Sequence, residues 1–201
     1  MKRFSLKLLI IIVMIFSSTL LKAQRVAGEG MLTGGVGLSI WNLYAGALNV
    51  SDSILAKSTP TVYGTYDYGI TKDFSIGGGV SYNSFSLINP NYSYVNSSGV
   101  IVEESISVKY SRVNLCLRPL YHWGKRENFE WFTGLRLGYS FWTATLQTTD
   151  PYYKDDYFRR DMYSAQLLFG SRAFLTDLVA LTFDLGIGAP YFASLGLSVK
   201  L

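Results

Sequence analysis

The residues able to do chemistry are few and scattered. His122 is the one histidine among 201 residues, so a site built from several histidines is excluded. The adjacent acids Asp155 and Asp156 do not have the spacing of a calcium loop. Cys116 is the single cysteine, which rules out an internal disulfide and leaves it as a structural thiol. His122 has the chemistry of a general base, but the sequence places no nucleophile and orienting acid beside it. Between Tyr121 and Trp123 it reads instead as part of an aromatic girdle at a membrane boundary. No catalytic residue, metal ligand or cofactor is assigned.

The remaining charges fall into a pattern once the elements that carry them are considered. From Ala193 to Leu201 every second residue is apolar: Ala193, Leu195, Leu197, Val199 and Leu201, preceded in the same phase by Tyr191. Ser194, Gly196, Ser198 and Lys200 lie between them. A period of two describes a strand with two unlike faces. The same alternation runs through residues 31–42, 61–70, 74–83, 129–146, 161–174 and 179–188. Residues 105–123 change phase midway, and a one-residue bulge near Ser111 would reconcile the halves. Pro119 within that strand gives up a ladder hydrogen bond, which suits the end of a paired region or a second bulge. Eight strands result, joined by links that alternate long and short. Residues 49–59, 88–104 and 148–160 form the long links, and Thr71-Lys72-Asp73 is the clearest tight turn.

Which face points inward decides the class. One face holds Tyr66, Tyr68, Phe74, Trp131, Phe169 and Phe183, too many large rings for an eight-stranded interior. The other is rich in glycine and carries Asp67, Glu130 and Asp184 against Arg118, Arg136, Arg172 and Lys200. A soluble barrel would need the rings inside and this glycine-rich face outside. The expectation is therefore an all-β, eight-stranded antiparallel transmembrane β-barrel with an apolar exterior. Its lumen would hold a paired polar network, because charge in so narrow a space needs a partner. A polar thread for ions or small solutes is the alternative reading of the same residues.

The N-terminus supports this destination. Lys2, Arg3 and Lys7 precede an apolar run from Leu8 to Phe16, followed by Leu21-Lys22-Ala23. This is the layout of a signal peptide over residues 1–23, leaving 24–201 as the barrel domain. Four basic residues leave with it, so 18 Lys and Arg against 14 Asp and Glu become 14 against 14. The basic balance is thus no sign of nucleic-acid binding. Beyond this segment no apolar stretch is long enough for a membrane helix. The 15 Tyr, 12 Phe and 4 Trp are instead what the two interfacial girdles of a barrel use. An even strand number puts both termini in the periplasm and the long links outside.

The most distinctive long link holds Tyr152, Tyr153, Lys154, Tyr157, Phe158, Arg159 and Arg160. Rings interleaved with charges suit a protein or glycan ligand. The cations also suit phosphates of lipopolysaccharide, and a plain solvated loop fits as well.

These features carry a resemblance. Tyr66-Asp67-Tyr68-Gly69-Ile70 turns into Phe74-Ser75-Ile76-Gly77-Gly78-Gly79-Val80-Ser81-Tyr82, and the chain ends Leu195-Gly196-Leu197-Ser198-Val199-Lys200-Leu201. With the signal segment, this resembles the small outer-membrane β-barrels of the OmpX/OmpA-like superfamily, in a Bacteroidota style, over about residues 28–201. Leu201 stands where that family has an aromatic residue. The resemblance implies a monomeric barrel in outer-membrane lipid, inserted by the barrel assembly machinery through residues 191–201. It does not fix one activity. A non-enzymatic barrel serving envelope integrity or surface interaction leads. An enzyme acting on lipid A acyl chains and a narrow pore are the rivals.

Overall fold

The computed structural model describes residues 27–48, 54–126, 128–148, 150 and 157–201. The signal segment, Tyr152, Tyr153 and Lys154 lie outside them, as do the side chains of residues 48, 125, 126 and 157. The described elements are β1 (Gly30–Leu38), α1 (Ile40–Leu48), β2 (Leu55–Ser58), β3 (Thr61–Gly69), β4 (Phe74–Val95), β5 (Ile101–Arg126), β6 (Phe129–Gln147), β7 (Tyr157–Phe174), β8 (Val179–Gly188) and β9 (Ala193–Lys200).

Eight of the strands close into a ring in the order β1, β3, β4, β5, β6, β7, β8, β9, every pair antiparallel. The ring shuts where β9 meets β1, from Met31 opposite Lys200 to Leu38 opposite Ala193. Closure removes the open edges that hydrocarbon would not tolerate. Two tight turns at one end are built alike. Thr71 Oγ1 accepts from the Phe74 N–H at 3.0 Å, and Thr176 Oγ1 accepts from the Val179 N–H at 3.0 Å.

Alternation is resolved into inside and outside. Arg118, Asp67, Arg172 and Asp184 are 0% exposed, while Leu117 is 63% and Leu167 57% exposed. An exterior of this kind covers the ring on all sides, with Val36, Ile76, Leu137, Phe183 and Leu197 among its members. So large an apolar surface is stable only in an apolar solvent.

Several elements depart from the sequence expectation. β1 stops at Leu38, and Ile40 and Trp41 begin a helix instead of continuing the strand. Asn42 fixes its start: its Oδ1 accepts from the Ser39 N–H at 2.7 Å and from the Ser39 hydroxyl at 3.0 Å, the half of a capping box in which the third helical residue reaches back to the residue before the helix. Trp41 and Ala45, one helical turn apart, pack on Ala56 and Phe85. α1 ends at Leu48, before the link over 49–59, and that link holds β2, which pairs with β4 from Leu55–Ile88 to Ser58–Phe85. The link over 88–104 is mostly strand, because β4 and β5 run on as one long hairpin to Val95 and Ile101.

No bulge sits at Ser111, which pairs in register with Ser84 and Thr143. The irregularities lie between Asn89 and Tyr92 on β4 and between Trp123 and Arg126 on β5. The phase change has another cause. Arg112 and Asn114 face the lumen, and Phe85 and Tyr110 keep that inward phase above them, in the cluster around Trp41. Outward-facing apolar residues end with Tyr82 and Val113. Above that level the strands leave the lipid zone and cover α1, so the apolar residues change sides while the backbone does not. Pro119 sits in an unshifted ladder: β5–β6 pairing runs Leu117–Leu137, then resumes at Leu120–Gly134. Tyr191 is the last correction. It precedes β9 in an irregular link and is 1% exposed, inside the ring and not on the apolar exterior.

Candidate functional site

The lumen is filled by a chain of alternating charges. Asp67 on β3 bridges two arginines through Oδ2, with Arg118 Nη1 at 2.8 Å and Arg172 Nη2 at 2.8 Å. Arg172 reaches on to Glu130 Oε1 through Nη1 at 2.8 Å. Arg118 Nη2 lies 3.5 Å from Asp184 Oδ2, and Arg136 Nη2 lies 3.1 Å from the same oxygen. The groups come from β3, β5, β6, β7 and β8, so the chain of ion pairs spans the ring. Neutral partners add to it: Thr65 Oγ1 accepts from Arg118 at 3.0 Å, Gln166 Oε1 accepts from Arg136 at 3.3 Å, and the Tyr191 hydroxyl donates to Asp184 at 3.3 Å.

Three guanidinium groups meet three carboxylates, which leaves the centre formally neutral. Aromatic rings fill the space between the charges. Arg172 and Arg118 approach Phe132 at 4.7 and 5.4 Å, and Arg136 lies 4.5 Å from the Tyr191 ring centre. Glycine makes room: a Cβ on Gly77 would collide with Asp67 and with the Tyr66 carbonyl. Packed this way, charged and aromatic side chains together occupy the space inside the ring.

Lys200 faces the same side but stands apart from this centre. Its Nζ pairs with Glu29 Oε1 at 2.8 Å near the end of the ring, with both side chains partly exposed. Sequence reasoning did not single out Glu29. It also missed Gln166 and Tyr191, whose polar tips join the network, and Tyr63, whose hydroxyl accepts from Ser194 at 3.3 Å and whose ring centre lies 5.7 Å from the Arg136 guanidinium. Their inward phase was visible for Tyr63 and Gln166; Tyr191 lacked any such signal.

His122 is not on the exterior girdle. It is 1% exposed and faces the lumen, while its neighbours Tyr121 and Trp123 face out. Ser75 Oγ and His122 Nε2 share a hydrogen bond of 2.8 Å, and His122 Nδ1 lies 3.5 Å from Glu130 Oε1. Serine, histidine and acid thus stand in the order of a hydrolytic triad. The surroundings oppose that use. Ser75 is 0% exposed, so no acyl carbon reaches its oxygen, and Glu130 is held by Arg172. The trio extends the buried polar contacts toward the tight-turn end. Among the described residues, no group of three or more His, Cys, Asp or Glu is placed to hold a metal.

At the opposite end the ring is capped by aromatics. Trp41 of α1 lies 5.8 Å from Trp142 in an edge contact and 5.3 Å from Phe85. Arg112 lies below, 5.1 Å from the Trp142 ring centre. Phe158, Arg159 and Arg160 belong to β7 and are not in a loop. They pair with Ala144, Thr143 and Trp142 of β6, and Tyr157 pairs with Thr145. Arg159 Nε pairs with Asp161 at 3.2 Å and its guanidinium lies 5.6 Å from Phe141. All three of Phe158, Arg159 and Arg160 are exposed on that rim.

No protein-family model and no curated sequence matches the chain. Solved structures do. The outer membrane protein OprG from Pseudomonas aeruginosa is similar at 10% identity, with 89% of this chain and 98% of that one covered and a TM-score of 0.56. Ail, the attachment invasion locus protein of Yersinia pestis, determined with the heparin analogue sucrose octasulfate, is similar at 11% identity over 88% and 100%, TM-score 0.51. A de novo designed transmembrane β-barrel is similar at 12% identity over 89% and 99%, TM-score 0.51. The fold is the eight-stranded antiparallel transmembrane β-barrel.

Proposed function

We propose that this chain is a non-enzymatic barrel of the outer membrane, with a sealed lumen and a surface-exposed rim that serves envelope integrity or contact with a partner. The observation that carries the reading is the neutral ion-pair chain across the lumen inside an apolar exterior. A polar thread for solutes would need water between those groups, and their charges are engaged with each other. An acyl-chain enzyme would need a nucleophile at the lipid face, whereas Ser75 faces inward.

Both termini then lie in the periplasm with the tight turns, and residues 191–201 present the strand read by the assembly machinery. The long β4–β5 hairpin and the exposed Phe158, Arg159 and Arg160 stand outside, in reach of lipopolysaccharide or of an extracellular protein or glycan. Tyr152, Tyr153 and Lys154 belong to the same side in this reading. The barrel acts as a monomer, since the ring closes on itself without a second chain.

Limited proteolysis of intact cells tests the arrangement. The reading expects cleavage within the Asn96–Val100 tip of the hairpin while both termini stay protected. Cleavage at the termini with the tip protected would reverse the orientation, and recovery of the protein in the soluble fraction would remove it from the membrane.

A further inference from the structure

Arg112 is the arginine that the lumen network leaves over. It is 5% exposed on β5, with the aromatic mouth above it. Arg118, Arg136 and Arg172 each meet a carboxylate; among the described residues Arg112 meets none. Its Nε–H donates to Asn83 Oδ1 at 2.9 Å and its Nη2 donates to the Pro190 carbonyl, both neutral acceptors. The Nη1 edge has no such partner. A buried guanidinium without an anion is the costly arrangement that the rest of this lumen avoids.

The same arginine lines a cleft of about 610 Å³. Ile40, Trp41 and Leu43 of α1 form one wall, with Trp142 and Pro190 among the others. Ile40 and Leu43 are 66% and 60% exposed, so the cleft opens outward past the helix. Its size lies in the usual range for a small-molecule site, about 300–1,000 Å³, and such sites pair an apolar lining with a few placed polar groups. Here the lining is aromatic and aliphatic, and the placed polar group is a cation.

We propose that this cleft binds a small water-borne amphipathic monocarboxylate. Its apolar or aromatic body lies against Trp41 and Trp142, and its carboxylate accepts hydrogen bonds from Arg112. Size and charge complementarity carry the assignment. A neutral hydrocarbon would leave the arginine unmatched, and a polyanion would meet no further cation among the cleft residues. The inference goes beyond surface display and stands or falls separately from cellular location, because it is tested on purified protein.

The experiment titrates the full chain, folded in detergent, with 4-phenylbutyrate and with the neutral 4-phenylbutyramide, following tryptophan fluorescence. Saturable binding of the acid is expected, with the amide weaker by about tenfold or more, the scale of a hydrogen bond to a charged group. Arg112→Gln should remove that preference. Leu43→Glu, at an exposed helix position, places a like charge on the cleft wall and should weaken the acid without weakening the amide. Each variant is checked for the compact gel mobility of a folded barrel, and Leu43→Glu decides the matter if Arg112→Gln does not fold. Equal binding of acid and amide by the parent, or unchanged acid binding in the folded variants, overturns the proposal.

Discussion

Asp67 holds two arginines with one carboxylate oxygen, and every member of that group is sealed from solvent. Asp67→Asn keeps the shape and removes the charge both arginines depend on. The expected loss is about 3–5 kcal/mol, the range for breaking a buried pair from one side. It would appear as a lower urea midpoint for unfolding from lipid vesicles, and an unchanged midpoint would mean that the ion-pair chain contributes little. Gly77→Ala tests the packing around the same carboxylate. The added methyl would meet Asp67 and the Tyr66 carbonyl, so destabilisation of about 1–3 kcal/mol is expected from overpacking. A neutral result would show that β3 and β4 can separate locally. The sequence makes the inward phase of Asp67, Arg118, Glu130, Arg136, Arg172 and Asp184 readable, since each sits opposite an apolar row on its own strand. It does not show which acid meets which base, because that depends on strand stagger around the ring. His122 illustrates the limit. Its aromatic neighbours suggested a girdle, yet in a strand the neighbours of a residue face the other way.

At the scale of elements, the strands were legible where each face meets one solvent, as along β6 from Phe129 to Phe141. They became illegible where the solvent changes. Above Tyr82 and Val113 the inner face is the apolar one, with Phe85 and Tyr110 under α1, and a fixed-solvent reading turns that change into a bulge. The helix was hidden for a related reason: Ile40 and Trp41 continue the alternation of β1, and only the Ser39–Asn42 pair marks the break. Asn42→Ala removes the side chain that accepts from the Ser39 N–H and should weaken that helix start by about 1 kcal/mol. Faster hydrogen exchange at the amides of α1, with the unfolding midpoint of the barrel unchanged, is the expected signature. A large drop in the midpoint would mean that α1 is integral to the ring. The upper hairpin is the converse case. Replacing residues 89–106 by a short Asn-Gly turn should leave a folded barrel, because β4–β5 pairing continues unbroken from Phe74–Tyr121 to Ile88–Ser107. Failure of this variant to fold in lipid would show that the extension is needed for closure.

For the whole molecule, the account rests on an inversion of the soluble plan: charge within and hydrocarbon-like surface without. A lumen sealed as proposed implies no steady conductance in planar bilayers, and regular single-channel steps would favour the pore instead. The inversion itself is tested most directly by site-directed spin labelling in lipid vesicles, in a Cys116→Ser background with single cysteines at Leu117, Leu137, Leu167 and Leu197. These positions belong to β5, β6, β7 and β9 and all face outward. The account predicts collision with dissolved oxygen far in excess of collision with a water-soluble nickel chelate at all four, the signature of labels in hydrocarbon. Ready access of the chelate to these positions, with oxygen showing no preference, would place them in water and contradict the barrel's membrane-spanning exterior.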